Sequence, residues 1–570
     1  MVIEMTFISN SSATSDPPFM SNFPVRSTKL PYVTVSAKGI SNGLSNIPND
    51  GADFGPDTMQ GAISKDQYGP PYSTTLGLWE AEAYAYSNLS NQNEVALIKA
   101  NTSIFNLNTI PSFGPISGPT GSFGEGSGFL PIYPNVAIDF QGSVINLNYT
   151  GSGFALLEGN TGLYLGYVEN ATINVLNSTS NPIPYVIQTG TGLLNSMVRN
   201  VTIYGQSSNG NFNITSAIQQ TGSNVTLENI SVYDALYGIE YTNGGTGTFV
   251  YNYYYNSSSQ GNGNAHYIDN YGDTIYINGG RTVGGLNEIL MNASTRSFND
   301  FHVYDRDVDA VEYFINATTA NGYGIRNVFI SGCWINAATS TFNLNSSDSN
   351  ASDSYSNFYI IGNRIDTGTN NVFYISPNLL YGDFIFSNNS ITAQNDNSYA
   401  RMFTVQSLNP SGQGFNFQIS NNSLQLAPLG SNNYPNLIYS SFPVILTNNF
   451  IYNSTNVKPI VISVPDTSII ENNVGLDSLN STTNGTTAGT VTMNNTNYSP
   501  NYKKYVITFS GYENDTTTNQ TISFPLPFSS YALISGNNTG LTISTTTSGI
   551  TITAPNSTTT YSGIVIIEGY

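Results

Sequence analysis

The strongest candidate for chemistry in the sequence is the acidic stretch YDRDVDAVEY at residues 304–313. In an extended strand, Asp305, Asp307 and Asp309 would share one face, and Arg306 would point away from them. Three carboxylates on one face could hold Ca²⁺ or bind sugar hydroxyls, with Arg306 or Arg281 beside them. The alternative interpretation is an acidic, solvated turn without a ligand.

Aromatic side chains form a second candidate group. The stretch YNYYYN at 251–256 supplies Tyr253 and Tyr255, whose rings could stack on sugar faces while their hydroxyls stay in water. The alternative is that half of the aromatic residues of a strand fill the core. Trp334 is expected to face outward or into a flanking loop, and Cys333 is expected to be a small buried hydrophobic residue rather than a nucleophile.

The sequence offers little for catalysis through metals or a triad. Cys333 is the only cysteine, and His266 and His302 are the only histidines. A disulfide and a cysteine-based zinc site are therefore excluded within the chain, and a Ser-His-Asp triad has few candidates. We expect no cofactor and assign no metal site.

Charge excludes further function classes. Only 9% of the residues are charged, and the net charge is −20. This charge repels nucleic acid and anionic lipid, so we expect no nucleic-acid partner. The sequence has neither an apolar run long enough to span a membrane nor an N-terminal signal-peptide pattern, so we expect no membrane span.

The elements that must position these groups are indicated by a recurring six-residue phrase. Its pattern is apolar, any, Asn or Gly, a slot, any, apolar, as in FSNNSI (386–391), ISNNSL (419–424) and LTNNFI (446–451). Asn, Gly and Asp tolerate the left-handed conformation that turns one strand sharply into the next. The phrase has its third place at residues 142, 170, 200, 229, 252, 278, 300, 332, 362, 388, 421, 448 and 472. Steps of roughly 27 residues are typical of solenoids, and the pattern predicts an all-β parallel β-helix of about 13 coils.

The slot residue changes along the chain. It is Ala171, Val201 and Ile230 in early repeats, which predicts a stacked apolar column. In later repeats the slot holds asparagines that can form an inward ladder of side-chain amides. The predicted ladder consists of Asn363, Asn389, Asn422, Asn449 and Asn473.

Asn-x-Ser/Thr sequons are frequent. Those at Asn170, Asn200, Asn229, Asn388 and Asn421 occupy the turn place of the repeat, so turn geometry alone could explain them. The predicted N-glycosylation sites are Asn88, Asn148, Asn292, Asn316, Asn345, Asn350, Asn484, Asn514, Asn519 and Asn537.

Two stretches of sequence and a set of spaced apolar residues precede the repeats. NDGADFGPDTMQGAI (49–63) contains the Gly-Ala of a first strand, and GFLPIYPNVAIDFQG (128–142) leads into the first coil. Between them, Leu78, Ala81, Ala85 and Leu89 have near-helical spacing, which predicts a helix that caps the open end. This order resembles the first part of pectate-lyase-like β-helix proteins, and the resemblance implies that the parallel β-helix is right-handed.

The chain is thus divided into an extended N-terminal arm (1–48), a lead-in region with the capping helix (49–135), the β-helix (136–475), a Ser/Thr/Asn linker (476–499) and a C-terminal antiparallel β-sandwich (500–570). This order resembles viral tail-spike and tail-fibre attachment proteins, and the composition resembles surface proteins of archaeal viruses. The resemblance implies an extracellular protein of the virion surface that forms a homotrimer. It also implies contacts of the arm with other virion structural proteins and binding of a host surface glycan or glycoprotein.

Two alternatives stay open. One is a tailspike depolymerase, a glycosidase or lyase that uses Asp305, Asp307 and Asp309 on surface polysaccharide. The other is a cellular surface-layer or adhesin glycoprotein. Polysaccharide hydrolases with the pectate-lyase-like fold carry catalytic motifs such as a paired Asp-Asp on a repeat or Gly-His-Gly. The sequence lacks these motifs, so we predict a protein without enzymatic activity.

Overall fold

The structure is a computed structural model. It describes residues 32–37, 53–55, 73–90, 95–101, 103–109, 116–119, 121–123, 128–149, 151–157, 165–192, 195–242, 247–258, 262–347, 354–368, 371–376, 379–393, 401–406, 415–426, 436–453, 461–464, 468–474, 478–479, 490–499, 502–512, 520–523, 531–538, 542–547, 549–553 and 561–569. The chain divides into unit 1, Met1–Asn174 with Leu193–Val201, and unit 2, Val175–Gly192 with Thr202–Tyr570.

Unit 1 carries the helix that the apolar spacing predicts. An α-helix spans Leu78–Tyr84 and continues as a π-helix over Ala85–Leu89. Every residue of the α-helix is buried, which fits a helix enclosed by the strands around it. The buried Glu80 carboxylate accepts hydrogen bonds from the hydroxyls of Ser73 (2.7 Å) and Thr75 (3.1 Å) at the start of the helix.

Strands of unit 1 both precede and follow this helix along the chain. They span Tyr32–Val35, Asp53–Phe54, Ala96–Ala100, Ile104–Leu107, Ile116–Gly118, Gly121–Phe123, Leu130–Ile132, Val136–Leu147, Phe154–Leu156 and, largely within the unit, Leu165–Val175 and Asn195–Tyr204. Tyr32–Val35 falls in the predicted arm, yet it pairs in parallel with Ala96–Ala100. This part of the predicted arm therefore belongs to a sheet rather than to a free extension.

Unit 2 contains a parallel β-helix, as the sequence repeat predicts, and antiparallel strands after it. Its coils stack three ladders of parallel strands, in which apolar residues point inward at every second position. Ladder A consists of Val225–Tyr233, Thr248–Asn256, Ile275–Val283, Phe298–Tyr304, Gly324–Ser331, Ser354–Ile361, Leu379–Ser387, Phe415–Ser420, Val444–Thr447 and Ile469–Glu471.

The other two ladders complete each coil, and the longer strands take part in more than one ladder. In the early coils, ladder B is formed by the residues that follow the corner within the long strands of ladder A. In the later coils it is formed by Asp307–Thr319, Trp334–Ser346, Arg364–Thr367, Ser390–Ala393, Ser423–Leu426 and Phe450–Asn453. Ladder C comprises Ile183–Gly192, Ile214–Gly222, Tyr237–Tyr241, Asn264–Asp269, Asn287–Ala293, Asp307–Thr319, Trp334–Ser346, Phe373–Ser376, Arg401–Val405, Asn436–Ser440 and Val461–Ser463.

Left-handed residues form the corner between ladders A and B. The corner residues with positive φ in unit 2 are Asn229, Asn252, Gly279, Asp305, Gly332, Gly362, Asn388, Asn421, Asn448 and Asn472. The predicted corners at 278 and 300 were wrong, because the register places Gly279 and Asp305 there instead. Asp300 belongs to another corner, where the side chain of Asn327 donates to it (2.9 Å). The predicted 13 coils include positions 142, 170 and 200, which lie in unit 1; ladder A contains ten strands among the described residues of unit 2.

Antiparallel strands follow the last coil. They span Thr490–Ser499, Tyr502–Tyr512, Gln520–Ser523, Tyr531–Asn538, Thr542–Thr546, Gly549–Thr553 and Tyr561–Gly569, after the short strand Ser478–Leu479. Thr490–Ser499 lies in the segment predicted as a linker, so antiparallel pairing begins before residue 500. A short hairpin, Ser207–Ser208 with Asn211–Phe212, projects from an early coil. Within the described ranges, no helix has the length and apolar character that crossing a membrane would require.

Candidate functional site

The predicted acidic face is divided by the corner between ladders A and B. Asp305 is the corner residue, with a φ of 51°, and its backbone N–H donates to the Ser331 carbonyl (3.1 Å). Asp307 and Asp309 follow in ladder B and face solvent at partial exposure. The prediction that the three carboxylates share one face is therefore wrong for Asp305, because its left-handed backbone interrupts the strand alternation.

Arg306 points into the coil, where it occupies the slot that holds Cys333 and then asparagines in later coils. Its side chain is 0% exposed and pairs with Glu288, with 2.8 Å between Nε and Oε1. The guanidinium also donates to the Thr282 hydroxyl (2.6 Å) and to the Gly279 carbonyl (3.1 Å). Gly280 is the slot residue of the preceding coil, and a Cβ there would collide with this guanidinium. Arg306 thus cannot contact a ligand at the surface.

Histidine and tyrosine side chains complete this buried polar cluster. The Tyr241 hydroxyl lies 2.9 Å from His266 Nδ1, and His266 Nε2 lies 3.8 Å from Glu288. Burial and the Arg306 guanidinium lower the pKa of His266 well below its usual value, so the ring is neutral. Burial likewise raises the pKa of Tyr241.

Tyr253 and Tyr255 are fully buried, which corrects the prediction that they could contact a glycan. The Tyr253 hydroxyl donates to the Ala265 carbonyl (3.2 Å), and the Tyr255 hydroxyl donates to the Ala235 carbonyl (2.7 Å). Gly238 and Gly263 leave the space that these hydroxyls fill. The two rings therefore fill the core, which was the alternative to glycan contact.

The outer face of ladder B carries a cluster of exposed charges. Arg281 Nε lies 3.3 Å from Asp307 Oδ2, and Arg281 Nη2 lies 3.2 Å from Asp309 Oδ2. The register places Arg281, Asp307 and the following residues of ladder B in one outward column. Asp309 also accepts a hydrogen bond from the side-chain amide of Asn336 (3.1 Å).

Trp334 continues the same column in the next coil. It is 37% exposed, and its indole N–H donates to Asp366 Oδ2 (3.4 Å). The guanidinium carbon of Arg364 lies 5.7 Å from the centroid of the Trp334 ring, and Arg364 Nε lies 3.4 Å from Asp366. We call this surface the Trp334 patch; it consists of Arg281, Asp307, Asp309, Trp334, Asn336, Arg364 and Asp366.

The Trp334 patch brings together the kinds of side chain that can contact carbohydrate. An exposed indole can pack on the C–H face of a sugar ring. Carboxylates accept and guanidinium and amide groups donate hydrogen bonds, so together they match adjacent sugar hydroxyls. The mutual ion pairs hold these side chains in place before a ligand arrives, which lowers the entropic cost of binding.

Ladder A carries a different aromatic surface. His302 and Phe329 stack at 4.7 Å with an interplanar angle of 7°, and Phe329 and Tyr359 stack at 4.9 Å with the same angle. Because the rings of successive coils cover one another's faces, the middle rings present only their edges to solvent. Partial burial lowers the pKa of His302, which favours its neutral form in this stack. This surface stabilises the sheet and offers little ring face to a sugar.

The predicted amide ladder runs through the interior of the later coils. Asn389 Nδ2 donates to Asn422 Oδ1 (3.0 Å), and Asn422 Nδ2 donates to Asn449 Oδ1 (3.0 Å). Each oxygen also accepts a backbone N–H, as Asn422 Oδ1 does from Asn389 (2.8 Å). Asn363 and Asn473 make the corresponding bonds at the two ends. The column begins at Cys333, where burial raises the thiol pKa to about 12, so the thiol is not reactive.

The predicted glycosylation sites differ in accessibility. Asn88 and Asn148 are exposed. Asn292 donates to Asp269 (2.9 Å), Asn316 accepts from Asn343 (3.0 Å), and Asn345 donates to Asn343 (2.9 Å), so these three amides are held in rows on the sheet. Asn537 lies in the strand Tyr531–Asn538. Asn350, Asn484, Asn514 and Asn519 lie outside the described residues.

A metal centre is not formed by these residues. Within the described ranges, no group of three or more His, Cys, Asp or Glu side chains could hold a metal ion. Sequence reasoning found Asp307, Asp309 and the outward Trp334, but it missed Arg364 and Asp366. The signal was available in the repeat, since residues one and three places after the slot face outward in ladder B.

Comparisons with known proteins give structural neighbours only. No family model and no curated protein matches the chain. A tailspike protein variant of E. coli bacteriophage HK620, in complex with a pentasaccharide, aligns at 11% identity and a TM-score of 0.38 over 83% of this chain and 86% of that chain. The tailspike protein of Acinetobacter baumannii bacteriophage Fri1, described as a capsular polysaccharide depolymerase, aligns at 13% identity and a TM-score of 0.29 over 84% and 76%. The tailspike of Pseudomonas phage phi297 aligns at 10% identity and a TM-score of 0.33 over 87% and 92%. At these values the similarities carry no argument about what this chain binds.

Proposed function

We propose that this protein is a virion surface spike or tail-fibre protein that attaches to the host cell by binding a surface glycan. It acts outside the cell, as a homotrimer, and its N-terminal arm contacts other structural proteins of the particle. Binding without cleavage is the proposed activity.

The Trp334 patch is the observation that supports this function. In a chain with only 9% charged residues, two arginines and three aspartates surround one exposed tryptophan on a single face of the β-helix. Surface ion pairs contribute little to stability, so their concentration at this place favours a role in binding. The regular spacing of coils would let an extended glycan contact several of these side chains in succession.

Substitution of the tryptophan tests the proposal. Trp334→Ala removes the only indole of the patch and is expected to lower the affinity of the full-length protein for host surface polysaccharide by about tenfold or more. Surface plasmon resonance with polysaccharide extracted from the host measures the effect. Ile104→Ala is the matched control, because Ile104 is an exposed apolar residue of unit 1 (57%) outside the patch. Equal binding by Trp334→Ala and the wild type would rule out the patch as the attachment site.

Two further measurements separate the alternatives. Oligosaccharides released from the same polysaccharide during incubation would assign a depolymerase instead of a binding protein. Recovery of the protein in cell envelopes, but not in purified virus particles, would assign a cellular surface protein. The proposal expects intact polysaccharide, a trimer by light scattering and recovery with the particles.

A further inference from the structure

An open cleft of about 450 Å³ lies beside the short hairpin of unit 2, and none of its lining residues belongs to the Trp334 patch. Its lining includes Thr179, Asn209, Asn211, Phe212 and Thr215. The volume falls within the range of roughly 300–1,000 Å³ that small-molecule sites occupy.

The hairpin that forms one wall has a defined turn. Ser207–Ser208 pairs antiparallel with Asn211–Phe212 across Asn209 and Gly210. These two residues have φ values of 51° and 81°, the positive values of a type I′ turn, for which Asn-Gly is the preferred sequence. The wall is therefore specified by local sequence.

Side-chain hydrogen bonds fix the hairpin to the coils. The Asn213 amide donates to the carbonyls of Val175 (2.9 Å) and Asn177 (3.0 Å), and its oxygen accepts the Gln206 N–H (2.6 Å). At the hairpin tip, Asn262 Nδ2 donates to the Gly210 carbonyl (3.3 Å). A cleft held in this way needs little ordering when a ligand binds.

The chemistry of the lining selects the ligand class. The side chains of Thr179, Asn209, Asn211 and Thr215 have no hydrogen-bond partner within the described part of the chain, so their amides and hydroxyls are available to a ligand. The half-buried Leu236 and the largely buried Phe212 form the apolar part of the lining, and none of the described lining residues is ionisable. Neutral donors and acceptors beside an apolar surface match an uncharged sugar ring, whereas an anionic sugar would find no cation here.

We propose that this cleft binds one or two neutral sugar units, such as hexose or N-acetylhexosamine, as a glycan site separate from the Trp334 patch. This inference rests on the proposed glycan-binding function and adds a second site with its own selectivity. Uncharged oligosaccharides bind the cleft, and hexuronate oligosaccharides do not.

Two variants of the full-length protein test the cleft. Asn211→Ala removes one amide and is expected to weaken binding by about threefold to tenfold. Thr179→Trp fills the cleft and is expected to weaken it by about tenfold or more. Asn181→Ala is the matched control, since Asn181 is an exposed asparagine next to the lining residues but outside them. The probes are disaccharides and tetrasaccharides of neutral hexose, of N-acetylhexosamine and of hexuronate, titrated by calorimetry.

The outcomes distinguish the two proposals. Loss of neutral disaccharide binding in both cleft variants, with binding retained in Asn181→Ala and Trp334→Ala, supports the cleft. If the wild type binds host polysaccharide and both cleft variants bind the neutral probes as the wild type does, or if no neutral probe binds, the cleft inference is overturned and the proposed function stands. If the wild type binds neither host polysaccharide nor any probe, the proposed function fails and the cleft inference fails with it.

Discussion

Two arginines one coil apart show how differently the interior and the surface of this β-helix use charge. Arg306 is fully buried and pairs with Glu288, which is also fully buried. Arg281 has 45% of its side chain exposed and pairs with Asp307 and Asp309. The chemical groups are the same, but water screens one pair and is excluded from the other.

The difference separates folding from binding. A buried ion pair is strongly destabilising to break, because the remaining charge is left without water or a partner. An exposed pair contributes little to stability, and its groups remain available to a ligand. Interior substitutions should therefore destabilise the β-helix, whereas substitutions in the Trp334 patch should change binding with little effect on stability.

Removal of one member of the buried pair gives the largest expected effect. Arg306→Ala leaves Glu288 buried without its cation and is expected to lower the free energy of unfolding by about 3–5 kcal/mol. The double variant R306M/E288L removes both charges and is expected to recover most of the loss. Urea unfolding measures both, and a mild effect of Arg306→Ala alone would show that the interior admits water.

The inner amide ladder should give the next largest effect. Asn422 exchanges hydrogen bonds with Asn389 and Asn449. Asn422→Ala leaves buried groups of both neighbours without partners and is expected to cost about 1–3 kcal/mol per unsatisfied group. Asn148→Ala, at an exposed position, is the control in the same urea experiment and should have the stability of the wild type. A stable Asn422→Ala variant would contradict the role of the ladder.

Acid should weaken the buried cluster through His266. Its folded-state pKa lies below the usual 6.5, and the groups that face it are Arg306, Glu288, Tyr241 and Tyr253. Because the unfolded chain takes up a proton that the folded chain excludes, this contribution to stability is complete above about pH 6.5. It falls by up to about 1.4 kcal/mol per pH unit as the pH decreases toward the folded-state pKa. His266→Gln should be less sensitive between about pH 7.5 and about pH 5.5, and identical pH dependence of both proteins would refute the assignment.

The exposed arginine should have the smallest effect on stability. Arg281→Ala is expected to lower the free energy of unfolding by less than about 1 kcal/mol, because its ion pairs are solvated. The same variant should bind host polysaccharide more weakly, since it removes a donor of the Trp334 patch. A large loss of stability would show that the exposed ion pairs of Arg281 contribute as much to stability as the buried pair of Arg306, which would contradict the distinction drawn between the two arginines.

Much of the fold could be predicted because the residue types of the repeat reflect the backbone conformation at each corner. Asn388, Asn421, Asn448 and Asn472 have the positive φ that the third place of the phrase predicts. The predicted corners at 278 and 300 failed because Gly279 and Gly280 lie side by side, and because Asp300 and Asp305 both adopt positive φ in one coil. Local sequence contained both possibilities, and only pairing with the neighbouring coils selected between them.

The candidate site was predictable only in part. Strand alternation indicates which residues of a strand share a face, but it does not say which face is inside. One shift at the corner placed Arg306 in the interior and Asp307 outside. The same uncertainty left two interpretations open for Tyr253 and Tyr255, glycan contact or core, and the structure shows that they fill space that Gly238 and Gly263 leave.

The sequence by itself determined the period of the coils, the left-handed corners and the inward asparagines, because each depends on the conformational preferences of a few adjacent residues. Only the tertiary structure decided which charges meet. Arg306 reaches Glu288 across 18 residues, and Trp334 reaches Asp366 across 32, since the stacking of coils brings positions together that are remote along the chain. The surface proposed to bind glycans is a product of that stacking.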